Sequence, residues 1–192
     1  MIKLVRPTCP NPVALKTDYK HKDNKEALRA STSSKCMYCE SFTDHTYFGD
    51  VEHIVPKDIK PELKFEWTNL GYVCAKCNNA KQNKYDESLP IIDPYVEDPD
   101  NYLIASDAFI YAKQGNDKGE LTILDLDLNR KPLVGRRQDH LTRINRTLRA
   151  INASTNQTLK NNALKEILNE ANSNKEYSFV TKQLLSVHGI LN

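Results

Sequence analysis

No stretch of about 18 apolar residues occurs in the chain, which argues against a membrane-spanning helix. The opening run Met1-Ile2-Lys3-Leu4-Val5-Arg6-Pro7 lacks the apolar core of a secretion signal, so a cytoplasmic protein is expected. Internal repeats are absent. The one compositional bias is asparagine enrichment between Asn152 and Asn174. A strong net charge is also missing: 27 basic against 25 acidic side chains leave +2, which does not announce a nucleic-acid binder. What is present is a 192-residue chain, 39% hydrophobic and 27% charged, enough for a buried core in one domain or a small core with additions. The charge is unevenly spread. Residues 1–35 carry 8 basic and 3 acidic groups, residues 36–100 carry 6 and 13, and residues 101–192 carry 13 and 9. An acidic middle between basic flanks suits cation chemistry at the centre with polyanion-holding surfaces around it.

Four of the five cysteines form two pairs, Cys36-Met37-Tyr38-Cys39 and Cys74-Ala75-Lys76-Cys77. Each Cys-x-x-Cys turn can aim two thiolates at one cation, and two turns supply the four soft ligands of a tetrahedral Zn²⁺ site. A reducing compartment disfavours disulfides, so zinc is the leading reading, with a redox pair or unligated core cysteines as alternatives. The 34-residue spacer is longer than in a compact zinc ribbon and implies a clamped insert. Cys9, between Pro7 and Pro10, is left as a free thiol.

The pattern along the chain predicts an α+β fold in three parts: a helical segment over 1–35, a zinc-bound core over 36–90, and a connector with mainly helical structure over 91–192. Residues 12–31 read as one or two amphipathic helices. Thr46–Val55 is rich in β-formers and predicts a hairpin turning near Gly49-Asp50, with Pro56 ending the second strand. Pro61 starts a short turn or helix, and helix resumes from Ala75 or Cys77 to about Lys84. Pro90, Pro94 and Pro99 make residues 90–101 an extended connector. Tyr102–Ala105 and Phe109–Ala112 predict two strands, with Gly115–Gly119 as a loop. Leu121–Leu128 alternates like a strand but could be a short helix. Leu141, Ile144, Leu148 and Ile151 mark a long helix, with Arg143, Arg146 and Arg149 on adjoining faces. Two more helices cover Thr158–Ala171 and Tyr177–Val187.

Between and just beyond the cysteine pairs lie Val51-Glu52-His53-Ile54-Val55-Pro56, Trp67-Thr68-Asn69-Leu70 and Cys77-Asn78-Asn79-Ala80-Lys81. These elements resemble the HNH endonuclease family: a histidine preceded by an acid or histidine, a central Asn-Leu, and a third His or Asn on a following helix. Here those positions are His53, Asn69 and Asn78, the last an asparagine in place of histidine. The cysteine turns around them are similar to the zinc-containing HNH subgroup. Pro90-Ile91-Ile92-Asp93-Pro94, Asp98-Pro99 and Leu126-Asp127-Leu128-Asn129-Arg130 look like HNH proteins of retron and Septu anti-phage systems. The resemblance implies a ββα-metal core, a helical reading of residues 121–128, and an ABC-type ATPase partner.

The chemistry follows from the side chains. Phosphodiester hydrolysis needs a base for the attacking water and charge relief at the phosphate. His53 suits the base. Glu52 and Asn78 offer oxygen donors to a hard Mg²⁺ or Mn²⁺. Asn69 would bond the backbone around His53 and orient its ring. Neighbours on a regular strand point to opposite faces, so Glu52 and His53 share a site only if the strand ends or bulges there. If it stays regular, Asp50 becomes the alternative ligand. Lys57, Lys81, Arg143 and Arg146 are candidate phosphate contacts, although exposed cations are commonly only solvated. Trp67 and Tyr72 read as packing residues, and His21, His45, His140 and His188 as structural or solvated. DNA is the leading substrate. RNA, or a non-catalytic zinc-stabilised adaptor, is the alternative.

Overall fold

A computed structural model describes residues 1–43 and 49–191. Its described residues form seven helices and two two-stranded antiparallel sheets, the α+β fold expected from the pattern. The N-terminal part holds a single turn, α1 (Pro12–Leu15), and α2 (Lys22–Ser31). The central part is β1 (Asp50–His53), β2 (Leu70–Val73) and α3 (Ala75–Lys81). Beyond the proline connector come β3 (Leu103–Ser106), β4 (Phe109–Ala112), α4 (Asp117–Asp125), α5 (Lys131–Ala153), α6 (Gln157–Glu170) and α7 (Ser178–Val187). No described helix is long and apolar enough to cross a membrane.

Of the hairpin predicted within Thr46–Val55, the first arm lies outside the described residues and only the second can be compared. Asp50 begins β1 rather than turning the chain, and β1 pairs with the distant β2 in the register Asp50↔Val73, Glu52↔Gly71 and His53↔Leu70. The β-formers Thr46, Tyr47 and Phe48, together with His45, lie outside the described residues. Pairing across a 16-residue excursion is invisible to local propensity, because the partner strand Leu70–Val73 is apolar throughout and buried on both faces. The Gly115–Gly119 loop is shorter than expected. The Asn116 side chain accepts from the Gly119 N–H at 2.8 Å, capping α4 two residues inside that stretch.

One core draws on all three sequence segments: Met1, Ile2 and Leu4, then the cysteine turns, then Ile92, Leu103, Leu141, Phe179 and Val180. The first cysteine turn lies across β2, where the Met37 N–H donates to the Tyr72 carbonyl at 3.0 Å. Gly71 permits this approach, since a Cβ there would stand 2.2 Å from the Met37 sulfur. Glu40, just after Cys39, pairs with the Met1 ammonium at 2.7 Å and accepts from Ser178 Oγ at 2.6 Å. Burial pushes its pKa up, but the ammonium and Lys35 outweigh that and hold it at about 2. The same network ties the cysteine turns to α7. A second cluster of Leu15, Leu28, Val51, Leu70 and Tyr72 packs α1 and α2 on the central sheet. This packing delivers Tyr19 and Lys20 to the cleft described next.

Candidate active site

The last core residue before α3, Cys74, accepts from the Cys77 N–H at 3.5 Å, so the second thiolate pair is built into a helix start. The four Sγ atoms of Cys36, Cys39, Cys74 and Cys77 lie within 4.8 Å of one another. Zn–S bonds of about 2.3 Å set tetrahedral S···S edges of about 3.8 Å. The Cys39–Cys74 separation is 3.8 Å, so the donors and their spacing fit zinc. Four thiolates around Zn²⁺ leave about two negative charges. Two arginines stand against them: Arg130 Nη2 reaches Cys77 Sγ at 3.6 Å, and Arg137 is buried nearby, its strongest favourable electrostatic partner being Cys39. The thiolates hold Arg130 above its ordinary pKa although burial opposes them.

α3 then presents its next residue, Asn78, to a cleft of about 170 Å³ on the other side. That cleft is lined by Asp50, Glu52 and His53 from β1, Tyr19 and Lys20 from the N-terminal part, Lys57, and Gln82 and Asn83 after α3. Glu52 and His53 therefore share one site although β1 is regularly paired. The strand ends at His53 and α3 folds over the Glu52 side, closing both faces into one space.

His53 is 7% exposed, and its Nε2 lies 2.9 Å from the Lys64 carbonyl. A carbonyl only accepts, so Nε2 carries the proton and Nδ1 is left unprotonated. The ring packs edge-on against Tyr19 with centroids 4.5 Å apart. Burial lowers the His53 pKa, the Lys64 carbonyl opposes this, and Lys57, Lys81 and Lys20 lower it further. The neutral base form is thus the resting state near pH 7. Asn69 lies below it. Its Oδ1 accepts from the Val55 N–H at 2.8 Å, and its Nδ2 donates to the Val55 and Leu63 carbonyls at 2.9 and 3.2 Å. The segment holding Asn69 is itself fixed by Arg6, which donates to the Trp67 and Leu70 carbonyls at 2.9 and 2.7 Å.

Glu52 is 4% exposed, and its Oε1 pairs with Lys81 Nζ at 2.7 Å. The same ammonium donates to the His53 carbonyl at 2.8 Å. Burial raises the Glu52 pKa and Lys81 opposes the rise. Glu52 Oε2 and the Asn78 side-chain amide make no hydrogen bond among the described residues. They are two free oxygen donors beside one cleft, a set that suits a hard divalent cation completed by water. Asp50 pairs with Lys20, and Lys25 is 4.0 Å from it.

The expected phosphate contacts divide. Lys57 lines the cleft. Lys81 does not serve as a surface contact: it is 1% exposed and held by Glu52, because an amphipathic lysine at the last turn of α3 points back at β1. Arg143 and Arg146 are exposed on α5 and do not line the cleft, and Arg143 instead borders a depression shared with Glu166 and Glu170. Tyr19, Lys20, Gln82 and Asn83 line the cleft without having been singled out from the sequence. Tyr19 and Lys20 carried no sequence signal for it, being more than thirty positions from His53. Lys81 lies three positions after Asn78, a spacing that places it on the β1 side of α3, where it meets Glu52. Trp67 is a packing residue as expected, donating from Nε1 to the Pro7 carbonyl at 2.8 Å.

Comparison with known proteins agrees with this geometry. Residues 36–84 match the family HNH, described as HNH endonuclease. A Septu protein PtuB of Bacillus thuringiensis is 38% identical over 107 residues, covering 55% of this chain and 40% of that protein. A Septu protein PtuB of Bacillus mycoides (strain KBAB4) is 28% identical over 150 residues, covering 62% of this chain and 51% of that protein. The chain thus spans about half the length, or less, of these curated relatives. Residues 36–84, with their strand–strand–helix frame, are thus similar to HNH endonuclease domains, in a chain similar over part of its length to Septu PtuB proteins.

Proposed function

We propose that this chain is a divalent-metal-dependent endonuclease that hydrolyses phosphodiester bonds in DNA, serving as the nuclease of an anti-phage defence system under an ABC-type ATPase partner. The observation that carries the reading is the convergence of the neutral His53 imidazole, Glu52 Oε2 and the unpartnered Asn78 amide on one cleft. His53 Nδ1 takes a proton from the attacking water while the Lys64 carbonyl holds Nε2–H and fixes the tautomer. Asn69 keeps the 53–55 backbone in place through its three hydrogen bonds. Glu52 and Asn78 would hold Mg²⁺ or Mn²⁺, which supplies charge relief at the phosphate and the departing oxygen. The defence role is supported by similarity to Septu PtuB proteins over part of their length, and the ATPase partner by the resemblance of residues 90–130 to HNH proteins of such systems.

Plasmid nicking in Mg²⁺ or Mn²⁺, with and without the ATPase, compares wild type with His53→Ala. General-base loss typically lowers the rate by about 10²–10⁴-fold. Undiminished cutting by a zinc-loaded, folded His53→Ala protein would remove His53 from the role of base. Degradation of tRNA in preference to duplex DNA would move the substrate to RNA.

A further inference from the structure

α3 is only one helix wide, and its opposite flank forms the wall of a second and larger hollow. A groove of about 500 Å³ runs between α3 and the start of α5. Lys76, Arg130 and Arg136 line it, and no carboxylate does so among the described residues. Phe42, Pro132 and Leu133 form its apolar walls, and Asn79 stands beside Lys76. Arg130 is already engaged by Cys77 Sγ and the Asp127 carbonyl. Lys76 and Arg136 are different. Both are exposed, and neither makes an ion pair or hydrogen bond among the described residues. Glu176, which is close to the groove edge, is taken up by the Phe42 N–H at 2.7 Å. Cys74, a thiolate of the expected zinc cluster, also lines the groove, and Arg130 stands against that cluster, so Lys76 and Arg136 are the cations left to meet a ligand there among the described residues.

Resting on the nuclease reading above, we propose that this groove holds the nucleic-acid backbone flanking the cut, with phosphate on Lys76 and Arg136 and the sugar edge on Pro132 and Leu133. The placement follows from the helix. Asn78 lines the His53 cleft and its neighbour Asn79 lines the groove, so the two hollows flank the same short helix. A helix is about 10–12 Å across, comparable to about three base-pair rises of about 3.4 Å each. A strand with its scissile phosphate at His53 therefore reaches the groove within about three nucleotides. The cations there contact phosphate and carry no base readout, so they would set affinity and register rather than sequence choice.

The test uses the full zinc-loaded chain and a fluorescently labelled DNA duplex, with binding read by anisotropy over a salt series without Mg²⁺. The variant is Lys76→Ala/Arg136→Ala. Its control is Arg149→Ala/Lys165→Ala, which removes the same charge from exposed positions elsewhere. Loss of two phosphate contacts should weaken binding on the order of tenfold or more at low salt and flatten the slope of log K against log salt by about 1.8. The control should leave the slope nearly unchanged. Equal affinity and slope in the groove variant overturn the proposal, and if the wild type still nicks DNA the nuclease reading survives. Wild type that neither binds nor cuts nucleic acid overturns both. A third arm adds a glutamate-rich peptide: peptide binding lost in the groove variant, with DNA binding retained, overturns the proposal in favour of an acidic protein partner.

Discussion

Cys77 and Asn78 are adjacent on α3, yet they face regions built on opposite terms. Cys77 is fully buried in a frame where thiolates, an expected zinc ion and two arginines balance one another. Asn78 meets a polar cleft in which amide and carboxylate oxygens stand without partners and two acids are neutralised by lysines. The frame is closed, with its thiolates packed into the main core, while the cleft leaves the Glu52 and Asn78 oxygens open to solvent. The contrast teaches that a closed frame can fix an open polar cleft from the next residue along one helix.

The sharpest way to break that contrast is to remove the frame. Structural zinc in small domains contributes about 10–16 kcal/mol of apparent binding free energy, which is folding free energy. Cys36→Ser or Cys77→Ser should therefore abolish cooperative unfolding and zinc content together, and strong chelation should do the same to the wild type. Thermal denaturation followed by circular dichroism, alongside metal analysis, checks this. A Cys36→Ser protein that stays folded with one bound zinc would show that the cysteine frame is not the scaffold of the cleft.

A smaller effect is expected inside the cleft wall. Lys81 is the only lysine bonded to both Glu52 and the His53 carbonyl among the described residues. Lys81→Met leaves a buried carboxylate without its cation, a change worth about 3–5 kcal/mol. Glu52→Gln added to Lys81→Met removes the stranded charge and should recover much of the loss. The pH dependence has a definite sign. Burial already raises the Glu52 pKa above its ordinary 4.5, so the folded state binds more protons than the unfolded one between those values. Stability from this group falls as pH rises through that window. Lys81→Met widens the window, so the variant should be less defective at pH 5 than at pH 7 in urea titrations. An equal deficit at both would mean that Lys81 acts through packing alone.

The frame was legible in the sequence because two Cys-x-x-Cys turns state their geometry locally. His53, Asn69 and Asn78 were legible as a spaced pattern, and the structure gathers His53 and Asn78 at the cleft with Asn69 beneath it. The strand partner of β1 was not legible. It depends on which distant segment covers a buried strand, and the apolar run Leu70–Val73 carries no alternation to betray its pairing. Lys81 was misread for a related reason: a lysine on a short helix looks solvated until the acid it meets is known. Tyr19 and Lys20 reach His53 only through the packing of α1 and α2 on the sheet, which no local pattern encodes.

The finest test compares the two acid–lysine pairs on β1. Asp50 and Lys20 have side chains 36% and 46% exposed, against 4% and 1% for Glu52 and Lys81. Solvent screens the outer pair, so Lys20→Ala should cost no more than about 1 kcal/mol, well below Lys81→Met. Its clearer readout is the His53 ring, followed by NMR in zinc-loaded protein without added Mg²⁺. Burial and the cleft lysines hold the wild-type His53 pKa below 6.5, so the unfolded state binds the proton more readily. Stability from this group is therefore complete above about 6.5 and is lost as pH falls through the folded value. Removing Lys20 takes away the third-ranked of those cations and should move the titration slightly upward, toward the ordinary value. A wild-type midpoint at or above 6.5 would contradict the burial argument. A large upward shift in Lys20→Ala would show instead that the outer pair, not the buried wall, sets the base.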